Sequence, residues 1–138
     1  MVTFSPMLLR QNSVLRVLIV DDHELTRFTL QLALQNQKNI ALVGLASNGL
    51  EAIAMVEKHH PDVIILDLQM PVMDGITASK QIKSIAPETQ ILAYSSVEDP
   101  QVEVMVQTAR IDAFCKKDIS TQELIATIAR LGEKLVSH

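Results

Sequence analysis

The chain has 138 residues, 48% of them hydrophobic and 20% charged, with only four Gly and five Pro. That balance describes one globular domain with enough apolar surface to build a core, and it excludes a disordered chain. The formal charge of −4 excludes a broad basic face of clustered Lys and Arg, so no direct nucleic-acid binding is expected of this chain.

Aromatic residues make up 3% and Trp is absent, so Ile, Leu, Val, Ala and Met must fill the core. The single cysteine, Cys115, allows no internal disulfide and suits a reducing compartment, with the cytoplasm as the default expectation. No apolar run approaches the roughly 18 to 20 residues of a membrane span, so no membrane partner is expected.

In chain order, residues 1–13 are expected to be a flexible N-terminal tail, with Met7 as an alternative start, and 14–138 to be the folded domain. Val17 to Val20 is a β-branched run without alternation, the pattern of a strand buried on both faces, and it stops at Asp21 and Asp22. Leu25, Phe28 and Leu32 then share one face of a predicted helix. A second strand is expected over Ile40 to Leu45. Asn48 to Glu51 forms a helix cap before Ile53 and Val56, and His59 and His60 precede Pro61 at that helix's end.

The second fully apolar run, Val63 to Leu66, also ends in an aspartate, Asp67. Asp74 with Gly75 opens a third helix, Ile91 to Tyr94 makes a fourth strand, and Asp99 with Pro100 marks another helix start. Ala113 to Cys115 is a short fifth strand. Ser120 and Glu123 form a capping box ahead of Leu124, Ile128, Leu131 and Leu135, which recur at helical spacing. Five strands alternating with five helices through short loops imply right-handed crossovers and a doubly wound α/β domain with a parallel sheet.

In such a sheet ligands bind outside the carboxyl ends of the strands, where the winding reverses. Asp21 and Asp22 close the first strand and Asp67 the third, so neighbouring strands would bring three mutually repelling carboxylates together. A hard cation relieves that repulsion, and an all-oxygen set with open positions suits Mg²⁺. Zinc is disfavoured because no His or Cys cluster has ligand spacing. Beside a cation Asp67 becomes a carboxylate nucleophile for a phosphoryl group. Ser95 ends the fourth strand with a hydroxyl and Lys117 follows the fifth with an ammonium, both suited to the phosphoryl oxygens.

Four motifs in this order, VLIVDD (Val17 to Asp22), VIILDLQMPVMDG (Val63 to Gly75), ILAYSS (Ile91 to Ser96) and DAFCKKD (Asp112 to Asp118), resemble those of response regulator receiver domains. The resemblance covers Leu15 to Val136. It implies a (βα)5 flavodoxin-like or CheY-like three-layer sandwich with strand order 2-1-3-4-5. It also implies that Asp67 is phosphorylated by a sensor histidine kinase, that Asp22 and Asp67 bind Mg²⁺ directly and that Asp21 acts through water. The Gln69 backbone carbonyl would be a further metal ligand. Ser95 would be the switch hydroxyl, Phe114 the switch aromatic, Lys117 the partner of the acceptor, and Pro71 and Gly75 the residues that shape the following loop. A receiver accepts phosphate without turning over external substrates, so no enzyme activity beyond its own phosphorylation and dephosphorylation is implied.

DDHELTR and VGLASNGLEAI are similar to the NarL/LuxR-type subfamily, which usually carries a C-terminal helix-turn-helix. No such pattern follows Val136, so the expectation is either a stand-alone receiver or the regulatory half of a transcription regulator, with homodimerisation open. Arg110 and Ile111 replace the usual Gly-Ala pair, and Ala113 stands where glycine is common. Those departures keep a second reading in view, a pseudo-receiver that binds partners without being phosphorylated. A haloacid-dehalogenase-like phosphatase would need a second carboxylate at position 69, where Gln69 stands. Ser96 competes with Ser95, and Lys116 with Lys117. Taken singly, Phe114 reads as a half-buried strand residue, Cys115 as a small core residue, and His23 as a loop histidine at a helix start, with modulation of the acidic site by proximity as its second reading.

Overall fold

The computed structural model describes residues 14–70, 72–96 and 109–136. The expected N-terminal tail, Pro71 and the helix start at Asp99 and Pro100 lie outside these residues. The elements in order are β1 (Leu15–Val20), α1 (Glu24–Gln35), β2 (Ile40–Ala46), α2 (Gly49–His59), β3 (Val63–Asp67), α3 (Gly75–Ile85), β4 (Gln90–Ser95), β5 (Ala113–Lys116) and α4 (Thr121–Val136). All five strands run parallel in the order β2-β1-β3-β4-β5. The winding therefore reverses between β1 and β3, as expected of a doubly wound sheet.

Because successive strand residues face opposite sides, β1, β3 and β4 feed two separate cores. Val17, Ile19, Val63, Ile65, Leu92 and Tyr94 pack with Leu30 and Leu34 of α1 and with Leu124, Ile128 and Leu131 of α4. Leu18, Val20, Ile64, Leu66 and Ile91 pack with Ala52 and Val56 of α2 and with Ala78 and Ile82 of α3. Burial on both faces explains why these strands read as unbroken apolar runs. Asn48 Oδ1 accepts from the Glu51 N–H at 2.9 Å, Asp74 Oδ1 from Thr77 at 2.8 Å, and Ser120 Oγ from Glu123 at 3.1 Å, so the three expected caps within the described residues are formed.

One helical face must be corrected. Leu25, Phe28 and Leu32 are exposed, and the residues of α1 that enter the core are Leu30 and Leu34. At about 100° per residue the two sets lie on opposite sides of the helix, so α1 is apolar on both and periodicity cannot choose between them. Tertiary packing chooses, and Arg27 fixes the choice by donating Nη1 to the Asp21 carbonyl at 2.6 Å.

The amino ends of the strands are tied by side chains. Asp112 Oδ2 accepts from the Ile91 N–H at 2.7 Å and pairs with the buried Lys83 Nζ at 2.9 Å. Asp62 Oδ2 accepts from the Arg16 N–H at 2.9 Å, and Thr89 donates its hydroxyl to the Pro61 carbonyl at 3.0 Å. At the opposite end, the turn from β3 into α3 depends on Gly75. A Cβ there would stand 2.3 Å from the Asp67 carbonyl oxygen and 2.6 Å from Leu68 Cα, both backbone atoms that have no room to move. Gly75→Ala is expected to lower unfolding free energy by about 1 to 3 kcal/mol, the usual cost of overpacking. Urea denaturation measures this, and a midpoint equal to that of the parent chain would show that the turn yields freely.

Candidate functional site

Val20 pairs with Leu66 across β1 and β3, so the residues that follow each leave the sheet side by side. Asp21 is 1% and Asp67 3% exposed, while Asp22 stands at the rim. Asp21 is held from two directions: its N–H donates to the Ala46 carbonyl at 3.0 Å, and its carbonyl accepts from Arg27. Asp67 Oδ1 accepts from the Gln69 N–H at 3.1 Å, whereas its buried Oδ2 accepts no hydrogen bond.

Lys117 enters from the loop after β5. Its Nζ lies 2.8 Å from Asp21 Oδ2 and 3.6 Å from Asp67 Oδ2, so the ammonium spans both carboxylates and sits nearer to Asp21. Lys116 is exposed and its Cα pairs with that of Ser95 across β4 and β5, so Lys117 is the lysine at the acids. Ser95 is buried at the tip of β4, whereas Ser96 is exposed. The Lys117 N–H donates to the Ser95 carbonyl at 2.9 Å, which ties the two strand tips together. Phe114 lies one strand further out and is 37% exposed, close to its reading as a half-buried strand residue.

His23 differs from its sequence reading as a plain helix-start residue. It occupies the N-cap of α1, but its side chain makes no capping hydrogen bond. An imidazole is a poor substitute for the short oxygen side chains that reach back to the first turn. Nδ1 instead lies 3.0 Å from Asp21 Oδ1, 3.1 Å from Asp22 Oδ1 and 3.9 Å from Asp67 Oδ2. Asp21, Asp22, His23 and Asp67 thus present donor atoms that all lie within 4.8 Å of one another. Of the two readings of His23, the structure favours proximity to the acidic site over a plain helix start. Arg27 is a site residue that sequence reasoning missed, and a position about one helical turn beyond Asp22 was the available signal.

This is a set of three acids with three buried oxygens, Asp21 Oδ2, Asp22 Oδ1 and Asp67 Oδ2, that accept no hydrogen bond among the described residues, a donor set that fits a hard divalent cation. Burial pushes the Asp67 carboxyl from its ordinary 3.8 up to about 6, opposed by the Gln69 N–H, raised further by Asp21, lowered by Lys117 and raised by a hydrogen bond with Asp22.

The model of the family described as the response regulator receiver domain matches residues 17–129. A transcriptional regulatory protein of Bacillus subtilis, YhcZ, is 35% identical over 113 residues, which are 82% of this chain and 53% of that protein. The response regulator VraR of Staphylococcus aureus is 35% identical over 117 residues, 84% of this chain and 56% of its own length. The chain therefore spans about half the length of these relatives. Among solved structures, the signal receiver domain of NarL from Mycobacterium tuberculosis superposes with a TM-score of 0.83 at 28% identity, covering 88% of this chain and 98% of that one. The receiver domain of RcsB from Salmonella enterica superposes with a TM-score of 0.78 at 27% identity, covering 86% and 88%.

A carboxyl whose folded pKa exceeds its unfolded value contributes stability that is fully present below about 3.8 and lost as pH rises through about 6. Ionised Asp67 therefore weakens the metal-free fold at neutral pH. Asp67→Asn is expected to be more stable than the parent chain at pH 7.5 in chelator by on the order of 1 to 3 kcal/mol, with the gain vanishing near pH 4. Thermal unfolding at the two pH values reads this directly, and an equally stable or weaker variant at pH 7.5 would contradict it.

Proposed function

The chain belongs to the family of response regulator receiver domains of two-component systems, and from that premise we propose that it is a phosphorylation switch with Asp67 as phosphoacceptor. The observation that carries the assignment is the buried Asp67 Oδ2, which accepts no hydrogen bond and has a lysine ammonium 3.6 Å away. Asp21, Asp22, Asp67 and the Gln69 carbonyl would hold Mg²⁺, which when bound supplies positive charge to offset the carboxylates and the incoming phosphoryl oxygens.

The donor is a phosphohistidine of a sensor kinase. Asp67 Oδ2 forms the new O–P bond as the P–N bond to the donor imidazole breaks, giving an acyl phosphate. Lys117 neutralises an equatorial oxygen, moving from its bridging position between Asp21 and Asp67. The phosphoryl group brings a charge of roughly −1.5 to −2, which draws the Ser95 hydroxyl inward. Since the Ser95 carbonyl accepts from the Lys117 N–H, that shift pulls on β5 and reorients Phe114 on the outer surface. Gly75 holds the turn after the acceptor in shape.

The chain acts in the cytoplasm as a phosphoacceptor that assists only its own phosphorylation and dephosphorylation. YhcZ is a transcriptional regulatory protein, and it and VraR are about twice the matched length, which supports control of transcription through an output domain outside this chain and is compatible with a homodimer.

Incubation with acetyl phosphate and Mg²⁺ is expected to add one phosphoryl group by intact mass, with none added to Asp67→Ala. A folded parent chain that binds Mg²⁺ yet keeps its mass would replace this reading with that of a pseudo-receiver.

A further inference from the structure

The imidazole of His23 has no place in the reaction just described, yet it stands among the acids that would hold the cation. Three features separate it from an ordinary surface histidine. It leaves the helix-capping role open although it occupies the N-cap. Its Nδ1 is 3.0 and 3.1 Å from oxygens of Asp21 and Asp22 and 3.9 Å from Asp67 Oδ2. That last oxygen belongs to a side chain 3% exposed and takes no hydrogen bond among the described residues, with the Lys117 ammonium standing 3.6 Å away.

The spacing is that of donors around a single ion. At metal–ligand distances of about 2.0 to 2.2 Å, donors at right angles stand roughly 3 Å apart and donors opposite each other a little over 4 Å. The 3.0, 3.1 and 3.9 Å separations fall in that range, and the shortest is, in the metal-free chain, a hydrogen bond between His23 and Asp21 that the ion would replace.

We propose that His23 is a nitrogen ligand of the cation in this pocket, which makes the site selective for borderline first-row divalent ions such as Co²⁺ relative to an all-oxygen pocket. Resting on the metal-dependent reading of the acidic site, the proposal adds the ligand that sets the choice of ion. Imidazole nitrogen favours transition ions strongly and contributes little to Mg²⁺, which prefers oxygen and retains its waters. His23 is 62% exposed, so replacing it leaves the core untouched.

The test uses the untagged chain, because His59 and His60 already offer imidazoles at the far end of α2. Mg²⁺, Mn²⁺ and Co²⁺ are titrated separately into the parent chain, His23→Ala and a His59→Ala/His60→Ala control. Tyr94, the one tyrosine in a chain without Trp, lies beside Lys117 and reports binding by fluorescence. Pulsed electron paramagnetic resonance of bound Mn²⁺ reads nitrogen coupling independently. Expected in His23→Ala are about 10- to 100-fold weaker Co²⁺ binding, Mg²⁺ affinity within about threefold, and loss of a nitrogen coupling that the control retains. Equal loss for all three ions, tighter binding of all three, or no nitrogen coupling in the parent chain would overturn the assignment while leaving the acidic pocket intact. A parent chain without any saturable cation site would instead remove the metal-dependent reading itself.

Discussion

Two parallel strands that lie side by side and end in aspartate force negative charge into one crevice, and the working end of this domain follows from that crowding. The Val20 and Leu66 pairing leaves Asp21 and Asp67 no separate exits. Apolar layers on both faces of the sheet keep water from screening them, which is why Asp67 holds its proton well above the usual carboxylate range. Lys117 offsets part of the charge by bridging two of the acids. The remainder is a standing demand for a cation or for a group that brings its own counter-charge.

The same crowding connects chemistry to surface. Lys117 is bound electrostatically to the acids and, through its backbone, to the tip of β4, while Tyr94 donates its hydroxyl to the Lys117 carbonyl at 3.3 Å. Any change in charge at Asp67 therefore acts on a residue that follows β5 directly and is hydrogen-bonded to the tip of β4. A rigid sheet with one short outer strand of four residues gives that pull a natural outlet.

Much of this was legible in the chain itself. Unbroken apolar runs ending in Asp21, Asp22 and Asp67 located both the central strands and the acids, because a strand buried on both sides tolerates charge only beyond its end. The caps at Asn48, Asp74 and Ser120 were equally readable, since each depends on residues three apart. Two features were not. The inward face of α1 escaped because Leu25, Phe28 and Leu32 oppose Leu30 and Leu34 on a helix apolar on both sides, a choice settled by the sheet and Arg27. The placement of His23 stayed open between two readings because local patterns describe a helix start and carry no information on where an uncommitted imidazole turns.

The five aspartates that frame the sheet do opposite jobs at its two ends. At the amino ends, Asp62 and Asp112 are saturated by backbone N–H donors and by Lys83, so they act as fasteners. At the carboxyl ends, Asp21, Asp22 and Asp67 exceed the donors within reach. Aspartates of one sheet thus bear on stability in opposite senses, those at one rim fastening strands together and those at the other loading the fold with buried charge that it must carry.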